Sequence, residues 1–85
     1  MRLLRTKPFL KEYKKLSPIL QNKVHRQISH LATDMRHPAL YAKKMVNQDD
    51  IWEARIDEHY RMTFQIYNDI IILRRVGTHE IYRKP

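Results

Sequence analysis

The chain has 85 residues and a mass of 10.4 kDa, the size of one small domain. Its hydrophobic content of 42% is too high for a disordered chain, and the absence of cysteine excludes a disulfide scaffold, thiol catalysis and a Cys-ligated zinc site. No apolar run approaches the ~20 residues of a membrane span, and residues 1–5 do not resemble a signal peptide. We therefore expect a single cytoplasmic domain over residues 1–85.

The charge is strongly positive and unevenly distributed. Seventeen Lys and Arg against nine Asp and Glu give +8. Residues 1–45 carry eleven basic and two acidic side chains, a net of +9, whereas residues 46–85 carry six basic and seven acidic, a net of −1. A surplus concentrated in half of a small domain is typical of a polyanion-binding protein. Nucleic acid or the ribosome is favoured over a membrane, and a basic surface with no specific partner is the alternative.

The first half of the chain predicts a short strand and two helices. Residues 2–5 form the strand. Thr6 precedes a first-turn proline, which is a helix-start signal, and Ser17 repeats that signal as a second N-cap. Apolar residues then recur at helical spacing, so the two helices fill about 7–33. Residues 34–50 are predicted to be a connecting loop with some turn.

The second half changes to the alternation that is typical of strands. Residues 52–56 and 60–66 alternate apolar and polar side chains on either side of a short hairpin loop. Residues 68–69 predict the next turn, 70–76 a very apolar strand, and 80–85 a polar tail. The predicted fold is α+β, in the order β-α-α-β-β-β, with a largely antiparallel sheet and a two-helix N-terminal hairpin packed on one face.

Alternation also assigns side chains to the faces of the sheet. The apolar side chains expected to face the helices are Trp52, Ala54, Ile56, Tyr60, Met62, Phe64 and Ile66. The polar side chains expected on the opposite face are Glu53, Arg55, Arg61, Thr63 and Gln65. On the last strand Ile71, Leu73 and Arg75 share a side, but both sides are apolar, and the pattern leaves open which one meets the helices.

The remaining chemistry-bearing residues suit a phosphate. Arg55 and Arg61 project from facing strands, and Arg75 ends the third strand of the meander, before His79 and Tyr82. Guanidinium groups bind phosphate and stabilise the charge that develops on it, and histidine exchanges protons near neutral pH. Metal-free RNA cleavage needs these groups, because the 2′-OH of the substrate itself attacks the neighbouring phosphate.

Each of these side chains also has a structural explanation. The two strand arginines can be solvated residues of an open face, His79 an incidental surface histidine, and Tyr82 a packing residue. Glu53 lies across from Arg55 and is better explained as an ion-pair partner than as a general base. The spacing therefore indicates phosphate affinity more firmly than it indicates catalysis.

Residues 51–82, IWEARIDEHYRMTFQIYNDIIILRRVGTHEIY, resemble the RelE/ParE superfamily of bacterial and archaeal type II toxins, nearest to its RelE, YafQ and YoeB mRNA-interferase branch. The shared motifs are an aromatic-x-x-basic strand at 52–55, a Tyr-Arg step at 60–61 and Arg-x-Gly-Thr-His at 75–79. The amino-terminal TKPFLKEYKKL and the later HPAL are also similar to the opening of that family. The resemblance covers almost the whole chain.

The resemblance implies a toxin that cuts mRNA in the ribosomal A site without a metal or other cofactor, leaving a 2′,3′-cyclic phosphate. It implies a cognate antitoxin, the ribosome and mRNA as partners, and neither a membrane nor a small-molecule cofactor. Arg61 matches the arginine that holds the scissile phosphate. Arg75 and His79 match the Arg-x-Gly-x-His of YafQ-like members, in which the histidine is a proton-transfer candidate. Tyr82 resembles an aromatic that stacks on a base or donates a proton.

The expected catalytic residues are therefore His79, Arg61, Arg75 and Tyr82, and the expected substrate-binding residues are Arg55, Glu53 and Arg83. The chain departs from its apparent relatives in places. Where RelE itself has two lysines, this chain has Glu53 and Arg55, and a YafQ-like aspartate is replaced by His59. The general base is therefore unassigned. ParE-type relatives share the fold and inhibit DNA gyrase, so a gyrase inhibitor, or an inert RNA- or antitoxin-binding relative, is the alternative.

Overall fold

The computed structural model describes residues 1–46, 48 and 50–85. Within these residues the elements are β1 (Arg2–Arg5), α1 (Lys7–Lys14), α2 (Pro18–Thr33), β2 (Lys43–Lys44), β3 (Trp52–Arg55), β4 (Arg61–Tyr67) and β5 (Ile70–Gly77), with 3₁₀ turns over Pro38–Leu40 and His79–Arg83. The sheet has the strand order β1-β5-β4-β3-β2, and β1 is parallel to β5 while the other pairs are antiparallel. The predicted α+β class and the order β-α-α-β-β-β are confirmed.

Both helices begin at the residues that the sequence predicts. The backbone N–H of Phe9 donates to the Thr6 hydroxyl oxygen at 3.4 Å, and that of Leu20 donates to the Ser17 hydroxyl oxygen at 3.3 Å. Each cap satisfies a helix-terminal N–H that has no partner within the helix. The Thr6 hydroxyl also donates to the Leu73 carbonyl at 2.8 Å, which fixes the start of α1 to β5. Neither helix in the described part of the chain is long and apolar enough to cross a bilayer.

The hydrophobic core lies between the helices and one face of the sheet. Its buried members are Phe9, Val24, Ile28, Leu31, Leu40, Ala54, Ile56, Met62, Phe64, Ile71, Leu73 and Val76. Trp52, Tyr60 and Ile66 pack against this cluster and are partly buried. Burying a large apolar side chain contributes about 1.5–3 kcal/mol relative to exposure, and this burial decides which face of the sheet meets the helices. The face predicted for β3 and β4 is confirmed.

A β-bulge breaks the alternation of β5. Thr63 pairs with Arg75, and the next residue of β4 pairs with Leu73, so Arg74 is an additional residue on β5. A bulge of this kind shifts the side chains that follow it to the other face. Leu73 and Val76 therefore both lie in the core, although they are three positions apart and strict alternation would place them on opposite faces. The prediction that Arg75 shares a side with Leu73 is wrong, because strict alternation does not allow for the extra residue.

The predicted loop over 34–50 contains more structure than expected. Pro38–Leu40 forms a 3₁₀ turn whose last side chain is fully buried, and the two-residue strand β2 pairs with β3. The sheet of the described residues thus has five strands, where the sequence predicts four. A strand of two residues is too short to show a periodicity. Asn47 and Asp49, which belong to the predicted loop, lie outside the described residues.

The predicted polar tail over 80–85 is packed onto the sheet. Ile81 is 2% exposed, and the Thr63 hydroxyl donates to the Pro85 carbonyl at 2.8 Å. A Cβ atom at Gly77 would lie 3.0 Å from the Cγ2 atom of Ile81, so the absence of a side chain there lets the turn approach the strand. The tail therefore covers the centre of the face that the helices leave open.

Gln27 joins α2 to the elements that border this face. Its buried Nε2 donates to the carbonyls of Ala39 at 2.9 Å and Arg55 at 2.7 Å. We expect Gln27→Ala to lower the free energy of unfolding by about 2 kcal/mol, because it leaves two carbonyls without this donor. Urea unfolding measures the loss. Asn22→Ala, at an exposed position of the same helix, should change stability by less than about 0.5 kcal/mol. An equal loss of unfolding free energy in both variants would contradict a stabilising role of the two Gln27 hydrogen bonds.

Candidate functional site

Strand register places polar residues in two rows across the sheet. The first row runs from β2 to β5 through Lys43, Glu53, Thr63 and Arg75. The second row runs from β3 to β5 through Arg55, Arg61 and Gly77. Directly opposite residues of neighbouring antiparallel strands have Cβ atoms about 4.5–5.5 Å apart. Residues far apart in the sequence are therefore neighbours here.

Two positively charged side chains face each other in the second row. Arg55 and Arg61 are direct partners on β3 and β4, and like charges in this position lower the stability of a sheet. Each guanidinium has a compensating neighbour. That of Arg55 lies over the ring of Tyr41, 5.3 Å from its centroid. That of Arg61 donates to the Asp57 carbonyl and, at 3.0 Å, to the Tyr60 carbonyl. Two cations held this close together favour the binding of an anion.

A cleft of about 440 Å³ opens over this pair. We call it the first cleft, and its lining residues are Tyr41, Ala42, Lys43, Glu53, Arg55 and Arg61. The Glu53 side chain is only 15% exposed, and one of its oxygens is 3.8 Å from the Lys43 ammonium. Glu53 is thus an ion-pair partner as expected, but of Lys43 on β2 and not of Arg55.

The C-terminal 3₁₀ turn places two more predicted residues beside the first cleft. The Tyr82 hydroxyl donates to Glu53 Oε1 at 3.4 Å, and the positive charge of Arg61 acts on the same hydroxyl. The ring of His79, which is exposed, meets the ring of Tyr82 edge-on at a centroid distance of 5.3 Å. A carboxylate, a phenol, an imidazole and two guanidinium groups therefore lie in or beside one cleft.

Tyr82 remains a neutral phenol in this environment. Partial burial raises its pKa, and the negative charge of Glu53 raises it further, while the positive charge of Arg61 acts in the opposite direction. The net result is a pKa above the usual value of 10.0. At neutral pH Tyr82 can therefore donate a hydrogen bond or a proton, and it cannot serve as a base.

Arg75 and Arg83 lie apart from this cluster. Arg75 donates to both carboxylate oxygens of Glu12, from Nε at 2.8 Å and Nη2 at 2.9 Å, and from Nη1 to the Lys84 carbonyl at 2.7 Å. It lines a different hollow, beside Thr6 and the first turn of α1. The hydrogen bonds with Glu12 raise the pKa of Arg75 above its already high value. Arg83 is exposed in the last turn.

Tyr41 and Lys43 line the first cleft but are absent from the predicted site. The sequence contains a signal for them, since an aromatic residue followed by two lysines in a polar loop is typical of nucleic-acid contacts. Both residues fall within the connecting loop predicted over 34–50. Among the residues that the structure describes, no three histidine or carboxylate side chains converge as a metal ion would require.

The hairpin loop that carries Arg61 depends on the charge of Asp57. Asp57 Oδ1 accepts from the backbone N–H of His59 at 2.9 Å and of Tyr60 at 2.8 Å, and Oδ2 lies 3.4 Å from the Lys23 ammonium. Partial burial acts to raise the pKa of Asp57, but the two backbone hydrogen bonds and the contact with Lys23 outweigh it and lower that pKa below its usual value. The folded state therefore favours the ionised form.

We expect Asp57→Ala to cost about 1 kcal/mol of stability at pH 7. Because the folded state lowers this pKa, the stabilisation is complete above pH ~4 and is lost as the pH falls through the folded value. The difference between wild type and variant, measured by urea unfolding between pH 7 and pH 3, should therefore narrow in acid. Glu58→Ala, in the same loop but exposed, is the control. A difference that does not change with pH would contradict this assignment.

The contact between Tyr82 and Glu53 has a spectroscopic consequence. Absorbance titration of phenolate in wild type, with Tyr82→Phe subtracted, should show Tyr82 ionising above pH 10. Glu53→Gln should shift this transition to lower pH because it removes a negative charge, and Arg61→Gln should shift it to higher pH. The sign of the linkage also predicts that the stabilisation from neutral Tyr82 is lost as the pH rises through its folded pKa. Identical transitions in all variants would disprove the cluster.

Comparison with known proteins identifies the fold. No protein-family model matches the chain, and no curated protein matches it significantly in sequence. Solved structures do match. A chain of the RelB-RelE antitoxin-toxin complex from Methanococcus jannaschii has a TM-score of 0.75 at 23% identity, over 96% of this chain and 99% of that one.

Two further structures give the same result. The YoeB/ParE toxin from Agrobacterium tumefaciens has a TM-score of 0.78 at 13% identity, over 93% of this chain and 99% of that one. YafQ from E. coli strain BL21(DE3) has a TM-score of 0.75 at 14% identity, over 96% and 98%. The similarity spans nearly the full length of each of these three matched chains. The chain therefore has the same fold as these RelE, YoeB/ParE and YafQ toxin structures.

Proposed function

We propose that the chain is the toxin of a type II toxin–antitoxin pair and a metal-independent mRNA endoribonuclease that acts on the ribosome. The fold of RelE, YafQ and YoeB supports the toxin role. The observation that carries the catalytic part is the first cleft, where the facing pair Arg55 and Arg61 lies beside Glu53 and Tyr82. Two cations next to proton-transfer groups match the needs of phosphodiester cleavage by an internal nucleophile.

In the proposed reaction, one side chain acts as the base, another acts as the acid, and two arginines bind the phosphate. The imidazole of His79 takes the proton of the ribose 2′-OH, and the 2′-oxygen forms a bond to the neighbouring phosphorus. The bond from phosphorus to the 5′-oxygen breaks, and the Tyr82 hydroxyl gives its proton to that leaving oxygen. The products are a 2′,3′-cyclic phosphate and a 5′-OH. Arg61 and Arg55 stabilise the charge on the phosphate oxygens.

The contact between the His79 and Tyr82 rings allows both groups to regain their starting protonation after each turnover. After the reaction His79 carries one proton more and Tyr82 one fewer, and the ring centroids are 5.3 Å apart. A proton that returns from the imidazolium to the phenolate, directly or through water, restores both groups. The raised pKa of Tyr82 favours this return. Glu53 accepts the hydrogen bond of the Tyr82 hydroxyl beside the first cleft and contributes to substrate binding.

Arg75 is proposed to have a structural role and not the catalytic role that its motif implies. Its guanidinium is occupied by Glu12 and by the Lys84 carbonyl, so it holds the tail that carries Tyr82 and does not contact the phosphate. Arg83, exposed in the last turn, is proposed to contact the backbone of the substrate. The partners are the ribosome, mRNA and a cognate antitoxin that covers the first cleft. Structures of RelB-RelE and DinJ-YafQ complexes support an antitoxin partner.

Substitution of the two central groups tests this function. We expect Arg61→Ala combined with His79→Ala to abolish growth arrest after induction, because a phosphate ligand and a proton-transfer group are removed. Loss of one such group typically slows a reaction by about 10²–10⁴-fold. Arg36→Ala combined with His59→Ala, two exposed residues that do not line the first cleft, is the control of matched charge. Circular dichroism verifies that both variants fold.

Primer-extension mapping of transcripts after induction separates the alternatives. Cuts in phase with codons support a ribosomal interferase, and cuts without phase indicate cleavage of unbound RNA. DNA damage without any cut indicates a gyrase inhibitor, and neither effect indicates an inert relative. Undiminished toxicity of the double variant would disprove the site.

A further inference from the structure

A second cleft lies next to the first one. Its volume is about 390 Å³, and its walls include Lys23, Arg26 and His30 of α2 together with Asp57. The three α2 residues follow each other at intervals of three and four positions, so they form one stripe on the helix surface. Lys23 and Arg26 therefore line a concave surface on the same side of the domain as the predicted site.

Tyr41 and Arg55 line both clefts and form the wall between them. Tyr41 is 67% exposed, although its ring carries the guanidinium of Arg55 on one face. An exposed aromatic ring next to cations is the usual platform for a base of single-stranded nucleic acid, since every base has a face that can stack. The shared wall thus has the chemistry of a nucleotide-binding element.

The backbone of Tyr41 is strained and firmly held. Its φ of 47° and ψ of 41° lie in the left-handed region, which is unfavourable for a residue with a large side chain. The 3₁₀ turn before it is anchored by buried Leu40, and Gln27 donates to the Ala39 carbonyl. The His37 ring accepts from the Ala39 N–H at 3.1 Å. The surrounding structure therefore fixes the ring in an exposed position that the chain would not adopt without such support.

We propose that the wall and the second cleft bind the nucleotide adjacent to the scissile linkage of a single-stranded RNA, with its base stacked on Tyr41 and its phosphate held by Lys23 and Arg26. This inference rests on the proposed function, because the first cleft must hold the linkage that is cut. Basic side chains exceed acidic ones along this path: Lys23, Arg26, Lys43, Arg55 and Arg61 stand against Glu53 and Asp57. An RNA strand fits this balance, whereas an acidic peptide offers no base for the ring.

The test uses the full chain and a 2′-O-methyl RNA hexanucleotide, which has no attacking hydroxyl. Fluorescence anisotropy should show that Tyr41→Ala weakens binding by about 5- to 150-fold, the range expected for loss of one stacked base. Tyr41→Phe should bind like wild type. Tyr67→Ala is the matched control, since Tyr67 is also 67% exposed and lies at the end of β4, away from both clefts.

An abasic nucleotide makes the stacking claim specific. We place it at each position of the hexanucleotide in turn, and at one position it should weaken binding to wild type but not to Tyr41→Ala. Such non-additivity identifies a direct contact between the ring and that base. Additive losses at every position would overturn the stacking contact, as would equal affinities of the Tyr41→Ala and Tyr67→Ala variants.

Salt dependence tests the phosphate contacts separately. Each lost contact with a single strand should reduce the slope of log K against log salt concentration by about 0.7. Lys23→Gln combined with Arg26→Gln should therefore flatten the slope by about 1.4, whereas Lys14→Gln combined with Lys15→Gln, exposed at the end of α1, should not change it. An unchanged slope in the α2 variant overturns the second cleft as a phosphate site.

The outcomes distinguish this inference from the proposed function. If Tyr41→Ala binds RNA and cleaves mRNA like wild type while the Arg61 and His79 double variant is inactive, the nuclease stands and the stacking of a base on Tyr41 is disproved. If wild type neither binds the hexanucleotide nor cleaves mRNA, both are disproved. Loss of RNA binding in Tyr41→Ala, with Tyr67→Ala unaffected, supports the nucleotide-binding wall.

Discussion

Arg55 and Arg61 face each other across β3 and β4, and the arrangement around them compensates their mutual repulsion. The ring of Tyr41 lies under one guanidinium, and backbone carbonyls of the hairpin loop accept from the other. Like charges directly opposite each other weaken a sheet, so such a pair is expected where it serves a function. An anion between the two groups replaces one repulsion with two attractions. The first cleft, Glu53 and the C-terminal turn are all arranged about this pair.

The C-terminal turn supplies the other half of the proposed site. It follows β5 directly, packs Ile81 against the strand and returns Tyr82 to Glu53. Its path depends on hydrogen bonds that Thr63 and Arg75 donate to the carbonyls of the last two residues. The strands supply fixed cations, and a short irregular segment carries His79 and Tyr82, the groups proposed to exchange protons. Catalytic residues are often carried in this way, by loops held on a rigid scaffold.

The fold is shared with several toxins at 13% to 23% identity, which means that few of their side chains coincide with those of this chain. A packed core tolerates such divergence if volume and pattern are kept. Function depends on particular groups, and the same fold supports different activities. The proposed RNA cleavage therefore depends on the geometry of Arg61, Tyr82 and their neighbours and not on the fold.

The sequence by itself determined the features that depend only on residues close together in the chain. The caps at Thr6 and Ser17, the helical and strand periods and the face of β3 and β4 follow from residues within a few positions of one another, as do the two facing arginines. The tertiary structure decided the bulge at Arg74, the packed tail and the pairing of Arg75 with Glu12, which are 63 positions apart. Whether two such distant groups meet depends on strand register and on competition among packed surfaces, and neither is encoded in any short segment of the chain.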